Sequence, residues 1–281
     1  MAFIIKQLAE HGTTNPIVAR LSLQGLNILK RCNAPEEVKN CVGELLLHTL
    51  QPKLLRCWEI SQRFQAEFSE KVSSYTPPEK IGNACEVPQI PRLVEECHNY
   101  LYEAKNYLRG VLQVINAFYG TSFEEPSEFE KRRNPRPSVV EWAANTFGTG
   151  DSRTAFFEEA AKGVMELIWA RNAVEHPGGY SGNLVIKNFE AAPDFRISEP
   201  HWYREKDGLI QADLGSIGGL MAISVQNLLV IGEDTIASWA DRNLENPDIF
   251  QLRMIQEADR DQSCPVKWTV DVNPELLAKM S

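Results

Sequence analysis

The sequence has no long hydrophobic run. No stretch of the 281 residues approaches the roughly 18–20 uninterrupted apolar positions that a membrane span requires. The opening Met1-Ala2-Phe3-Ile4-Ile5 meets Lys6 at once and Glu10 soon after, unlike a secretory leader. These absences argue against a membrane role and lead to the expectation of a cytoplasmic chain. There is no CxxC, and no cysteine–histidine cluster has zinc-ligand spacing. The cysteines at 32, 41, 57, 85, 97 and 264 therefore read as reduced thiols, and no metal or cofactor is expected. HExxH, GxSxG and P-loop motifs are missing, and Gly218-Gly219 lacks the third glycine of a dinucleotide fingerprint. An excess of positive charge is missing too. Twenty-nine Lys and Arg face 38 Asp and Glu, a net charge of -9, which argues against broad electrostatic binding of nucleic acid. It leaves room for a local basic site, because one bound strand responds only to the field near its pocket.

What is present is ordinary globular composition, 43% hydrophobic and 24% charged, in a chain long enough for one large domain or two small ones. Helical signals dominate. Asn15-Pro16 opens a helix to about residue 30, Pro35-Glu36-Glu37 opens a second, and Pro52 starts a third toward Val72, with short breaks between them. Residues 75–91, rich in proline, read as a linker. The cleanest helix is 92–119, with Leu93, Cys97, Leu101, Leu108, Leu112 and Ile115 at three- and four-residue spacing. A short helix passes through Trp142. After Gly148-Thr149-Gly150, Asp151 is placed to cap a helix from 152 to about 175. Pro177-Gly178-Gly179 stops it.

Residues 184–211 hold short β-branched or aromatic pieces around Leu184-Val185-Ile186, Phe195-Arg196-Ile197 and Leu209-Ile210, which read as a small hairpin or meander holding what little strand the chain has. Residues 214–243 return to helix, and from Asn246 a further short helical stretch precedes an apolar piece, Val266 to Val270. The expectation is an all-α protein: an up-and-down bundle over 88–245 with an insertion at 184–211, an N-terminal helical extension over 1–75 and a C-terminal extension over 246–281.

The stretch richest in chemistry is Trp169-Ala170-Arg171-Asn172-Ala173-Val174-Glu175-His176-Pro177. Arg171 offers a planar guanidinium fork suited to a phosphate, and His176 can exchange a proton near neutral pH. Five residues on a straight helix turn the side chain by roughly 140°, so Arg171 and His176 do not share a face. Asn172 shares one with His176, and Arg171 shares one with Glu175. Pro177 eases this by moving His176 out of the α region. The plain alternative is a helix C-terminal cap, with Arg171–Glu175 an ordinary ion pair.

Arginine, a polar residue, three more residues and histidine near a helix end resemble the signature of the HEPN family of all-helical domains. The resemblance implies a usually dimeric bundle of four or five helices, often a metal-independent ribonuclease of toxin–antitoxin, phage-defence or RNA-processing systems. It implies that His176 takes the 2′-hydroxyl proton, Arg171 neutralises the phosphate and Asn172 orients the imidazole, in a pocket shared between two copies. The expected partners are then a second copy of the chain, an RNA substrate, and an antitoxin or other protein. The long helix 92–119 takes the place of the family's earlier core helix.

Lower-ranked substrate-binding candidates are Glu96 and Asn99, three apart on that long helix, and the basic loop residues Arg132, Arg133 and Arg136. The plainer reading of the first pair is a solvated face. For the loop it is neutralisation by the acids at 124, 125, 128 and 130. Trp202, between His201 and Tyr203, either stacks a base or forms a mini-core. The competing function is a catalytically inactive helical module that binds a nucleotide, RNA or protein partner, or else a purely structural role. Glu175 favours it, because that carboxylate can hold Arg171 away from any phosphate.

Overall fold

A computed structural model describes residues 10–77, 86–192 and 196–273. The readings made of the first nine residues, of Cys85 and the middle of the proline-rich linker, of Phe195 and of the last residues lie outside this range. Asn15 opens the first helix by accepting the Ile17 amide at 2.9 Å. The chain then runs as a π-helical stretch (Val18–Gln24) into α1 (Gly25–Leu29). Pro35 precedes α2 (Glu36–Leu45), with Glu36 and Glu37 at the positive end of its dipole. The expected break before Pro52 does not occur. A π-helical turn (Leu46–Leu50) joins α2 directly to α3 (Gln51–Ser74). Proline cannot donate to the preceding turn, and the widened turn just ahead of it absorbs that mismatch so the helix continues.

After α4 (Leu93–Tyr119), Gly120 turns the chain at a φ of 67°. Ser138 and Glu141 exchange hydrogen bonds in a capping box that opens α5 (Val139–Phe147). Asp151 accepts the Arg153 amide at 2.8 Å to begin α6 (Ser152–Glu175). Ser216 accepts the Gly219 amide at 3.1 Å at the start of α7 (Ile217–Ala240). By length and composition α7 passes for a membrane span, but 61% of its apolar window is buried inside the protein, as in the core helix of a soluble protein.

The all-α expectation is overturned: the described residues are 57% helical with about 15% strand in three antiparallel sheets. Strands β1 (Asn183–Lys187), β4 (His201–Lys206) and β5 (Leu209–Ser216) form one sheet in the order β1-β4-β5. The short β2 (Glu190–Ala191) and β3 (Ile197–Ser198) pair beside it in sequence. In β4 the buried Trp202 and Arg204 alternate with less buried neighbours, the period-two pattern of a half-buried sheet. Residues 214–216 extend β5 and do not begin α7. Strand is not confined to 184–211 either. The stretch expected to be helical after Asn246 contains β6 (Phe250–Met254), which pairs with β7 (Trp268–Val272). Phe250, Leu252 and Met254 stand opposite Val272, Val270 and Trp268, a cross-strand match that five residues of helix would not supply.

The chain forms two compact units, interleaved in sequence: residues 1–55, 107–157 and 228–281 in the first, and 56–106 and 158–227 in the second. Helices α3, α4, α6 and α7 contribute residues to both. In the first unit Phe118 stacks on Trp239 at 4.1 Å, and Trp142 meets Tyr119, Phe123, Phe147 and Phe157 edge-on. Arg20 and Glu233 form a buried ion pair there. The Gln24 side chain accepts the amides of Lys267 and Trp268 at 2.6 and 2.8 Å, tying the β6–β7 hairpin to the first helix. Gly232 lets Tyr107 approach α7: a Cβ there would lie 2.1 Å from the Tyr107 hydroxyl, which donates to Leu228 at 2.8 Å.

In the second unit Phe64, Phe68 and Phe189 stack in series, and Tyr100 donates to the Met221 carbonyl at 3.0 Å. Gly218 serves close packing, since a Cβ there would meet the Phe64 ring at 2.7 Å. Trp202 is completely buried, so it belongs to a core and offers no base-stacking face.

Candidate functional site

The Arg171 cluster lies wholly in the second unit. Two helices build it. On α6, Arg171 and Glu175 are one turn apart, and their side chains pair at 2.7 Å. On α4, Tyr102 and Lys105 project toward them, three residues apart on one face. The Arg171 guanidinium lies over the Tyr102 ring, 4.3 Å from its centroid. Lys105 donates to the other Glu175 oxygen at 2.6 Å. The carboxylate is thus shared by two cations from two helices. Arg171 is 4% exposed and Lys105 9%.

The electrostatics follow from this packing. Burial alone would raise the Glu175 carboxyl. The Lys105 hydrogen bond and the charges of Lys105, Arg171 and His176 outweigh it, holding the group below its ordinary range. His98, one turn before Tyr102 on α4, is pushed down by burial and by the positive charge of Arg171, which favours the neutral imidazole. Nε and Nη1 of Arg171 are buried without hydrogen-bond partners, so the guanidinium is held by one carboxylate and one aromatic face.

Of the motif residues, the structure joins Arg171 to Glu175 and sends His176 elsewhere. The His176 amide accepts its place in the last helical turn by donating to the Asn172 carbonyl at 2.9 Å. Pro177 and Gly178, the latter at a φ of 73°, then turn the chain toward β1. The His176 side chain is exposed and Asn172 half-buried. Among the described residues no hydrogen bond or ion pair links His176 to Arg171, as the angular separation on the helix requires. Pro177 does not bring the ring back.

Glu96 and Asn99 line a groove of about 530 Å³ with Arg56, Arg63, Phe64 and Arg92. Glu96 accepts from Arg63 at 2.6 Å, so this pair faces α3 and not Arg171. Arg132, Arg133 and Arg136 belong to the first unit, and each is neutralised. Arg132 pairs with Glu141 at 2.5 Å, Arg133 with Glu124, and Arg136 with Glu124 and Glu128 at 3.3 and 3.6 Å. Glu128 is buried and also accepts the amides of Glu124 and Glu125 at 2.7 Å, so the loop is a closed ion network.

Sequence reasoning marked His98 on the long helix as a possible polar group for the pocket but missed Tyr102 and Lys105 as members of the cluster. The signal was available in the spacing 98, 102, 105, which marks one face of the long helix. Among the described residues no three histidine, cysteine, aspartate or glutamate side chains are grouped to hold a metal ion. No protein-family model matches the chain, and neither do curated proteins or solved structures.

Proposed function

We propose that this chain is a cytoplasmic, catalytically silent module of mixed helix and sheet that binds a ligand or partner, with the Arg171 cluster clamping α4 to α6. One observation carries the reading: the guanidinium needed for phosphate chemistry is buried and already committed to Glu175, which Lys105 holds in turn. Arginine and carboxylate facing each other at this distance neutralise the charge that a phosphate would need. The paired arginines of the 131–136 loop support the same reading, since no uncommitted basic track remains there. The test is direct. Purified protein incubated with mixed cellular RNA in excess chelator should leave the RNA intact, and His176→Ala should change nothing.

A second reading, an endoribonuclease as the HEPN resemblance implies, draws on one feature: His176 stands exposed at the end of α6, open to a second copy of the chain. It requires a homodimer, an opened Arg171–Glu175 pair, and possession of RNA cleavage that leaves 2′,3′-cyclic phosphate ends. Under that reading His176→Ala lowers the rate by roughly 10²–10⁴. An antitoxin-like protein partner would then act by covering the exposed helix end. Cleavage that disappears in this variant would overturn the silent module.

A further inference from the structure

The second unit contains a cavity of about 340 Å³ lined by Trp169, Tyr180, Arg204, Lys206 and Gln211. We propose that it binds a small planar aromatic anion, a flat ring carrying a phosphate or carboxylate. This goes beyond the reading above and does not depend on the role of Arg171, which takes no part in the cavity.

Arg204 anchors the site. It is 7% exposed, yet its Nε is buried without a hydrogen-bond partner. Its two terminal nitrogens are only loosely held. Nη1 donates to the Ser181 carbonyl at 3.2 Å, and Nη2 lies 3.6 Å from the Glu166 carboxylate. A cavity-lining guanidinium whose carboxylate contact is no closer than 3.6 Å keeps charge for an incoming anion. Lys206, two residues along the same face of β4, brings a second positive charge and has no ion-pair partner among the described residues. The recognised group therefore meets two cations.

The ring is recognised by the rest of the lining. The Arg204 guanidinium lies 5.2 Å from the Trp169 ring centroid, so cation and indole form one continuous wall. Tyr180, 81% exposed in the turn after α6, adds a second aromatic face at the mouth. Gln211 arrives by a break in the sheet: Arg204 pairs with Ala212 and Glu205 with Ile210, leaving Gln211 as the extra residue of a bulge. A bulge re-aims a side chain that the regular alternation would place elsewhere, here into the cavity wall. Its amide can bond a ring edge. Aromatic wall, paired cations and one amide in a small half-open cavity match a ring with an attached anion better than a bare anion or a neutral ring.

Isothermal titration calorimetry with adenosine monophosphate and with 2-naphthoate tests this, using adenosine and inorganic phosphate as the half-ligands. At least one ring anion should bind with a Kd below ~1 mM, and each half-ligand about 10-fold or more weaker. Binding of the monophosphate alone assigns the phosphate, and of 2-naphthoate alone the carboxylate. Lys206→Gln and Tyr180→Ala should each weaken binding by roughly 5–100-fold, as loss of a charge or a stacking face does, while Lys206→Arg retains it. Both sites are accessible enough that the urea midpoint should not move. Absence of heat from either ring anion up to ~10 mM, or binding unchanged in both weakening variants, would overturn the proposal.

Discussion

Arg171 is read at the residue scale by the company it keeps. A guanidinium under a tyrosine ring and against a carboxylate shared with lysine is a packing element, and its pH behaviour should show it. The folded-state values of both Glu175 and His98 are depressed. Each group therefore binds protons more readily in the unfolded chain. Its contribution is complete above the unfolded value and is lost as pH falls toward the folded one. His98 titrates first, below its ordinary value near 6.5, and Glu175 at lower pH. Urea midpoints measured at pH 7.5 and 5.5 should fall on acidification, and His98→Gln should flatten that fall. An unchanged slope in the variant would remove His98 from the cluster.

Cysteine reactivity is a second residue-scale outcome. Burial pushes the Cys32 and Cys97 thiols up to about 12, whereas Cys41 is exposed. A thiol reagent at pH 8 should label Cys41 in the native protein and leave Cys32 and Cys97 until unfolding, as peptide mapping would show. The absence of a CxxC made reduced thiols legible in the sequence, and the free cysteines described agree with it. Which of them were sheltered depended on long-range packing that no local pattern encodes.

At the scale of the element, capping and punctuation were well marked. Asn15 and Asp151 act where their chemistry placed them, because a cap is a local event. Pro52 misled for the opposite reason: its cost was absorbed by a π-helical turn, which has no signature in composition. The β6 segment misled because five residues carry too little periodicity, and its partner lies beyond a connection of 13 residues, 255–267. Helix contact offers a test. Gly232→Ala would drive a methyl into the Tyr107 hydroxyl and should cost about 1–3 kcal/mol by chemical denaturation. Removing that oxygen first, in Tyr107→Phe, should reduce the penalty of the alanine. Equal penalties in both backgrounds would show that Tyr107 is not the obstacle.

For the whole molecule, the sequence revealed long helices and strand within 184–211, and missed the pairing of β6 with β7 and the interleaving of two units. Strand pairing and unit membership join residues far apart in sequence, so they leave only weak traces in any one window. The candidate site divides in the same way. Arg171–Glu175 follows from four-residue spacing on one helix, but Tyr102 and Lys105 arrive from another helix and turn the pair into a clamp. The sequence motif alone could not distinguish a phosphate ligand from that clamp, because the distinction rests on what faces Arg171.

A double-mutant cycle on Arg171 and Glu175, read by urea denaturation at pH 7.5, tests the clamp most directly. Arg171→Ala should cost about 2–4 kcal/mol, since it empties a buried position and strips Glu175 of one of its two cations. The pair should show a coupling of about 1 kcal/mol or more when the double variant is compared with the singles. An Arg171→Ala protein as stable as the parent, or more stable, would contradict the clamp and return the arginine to the role of a residue kept for chemistry.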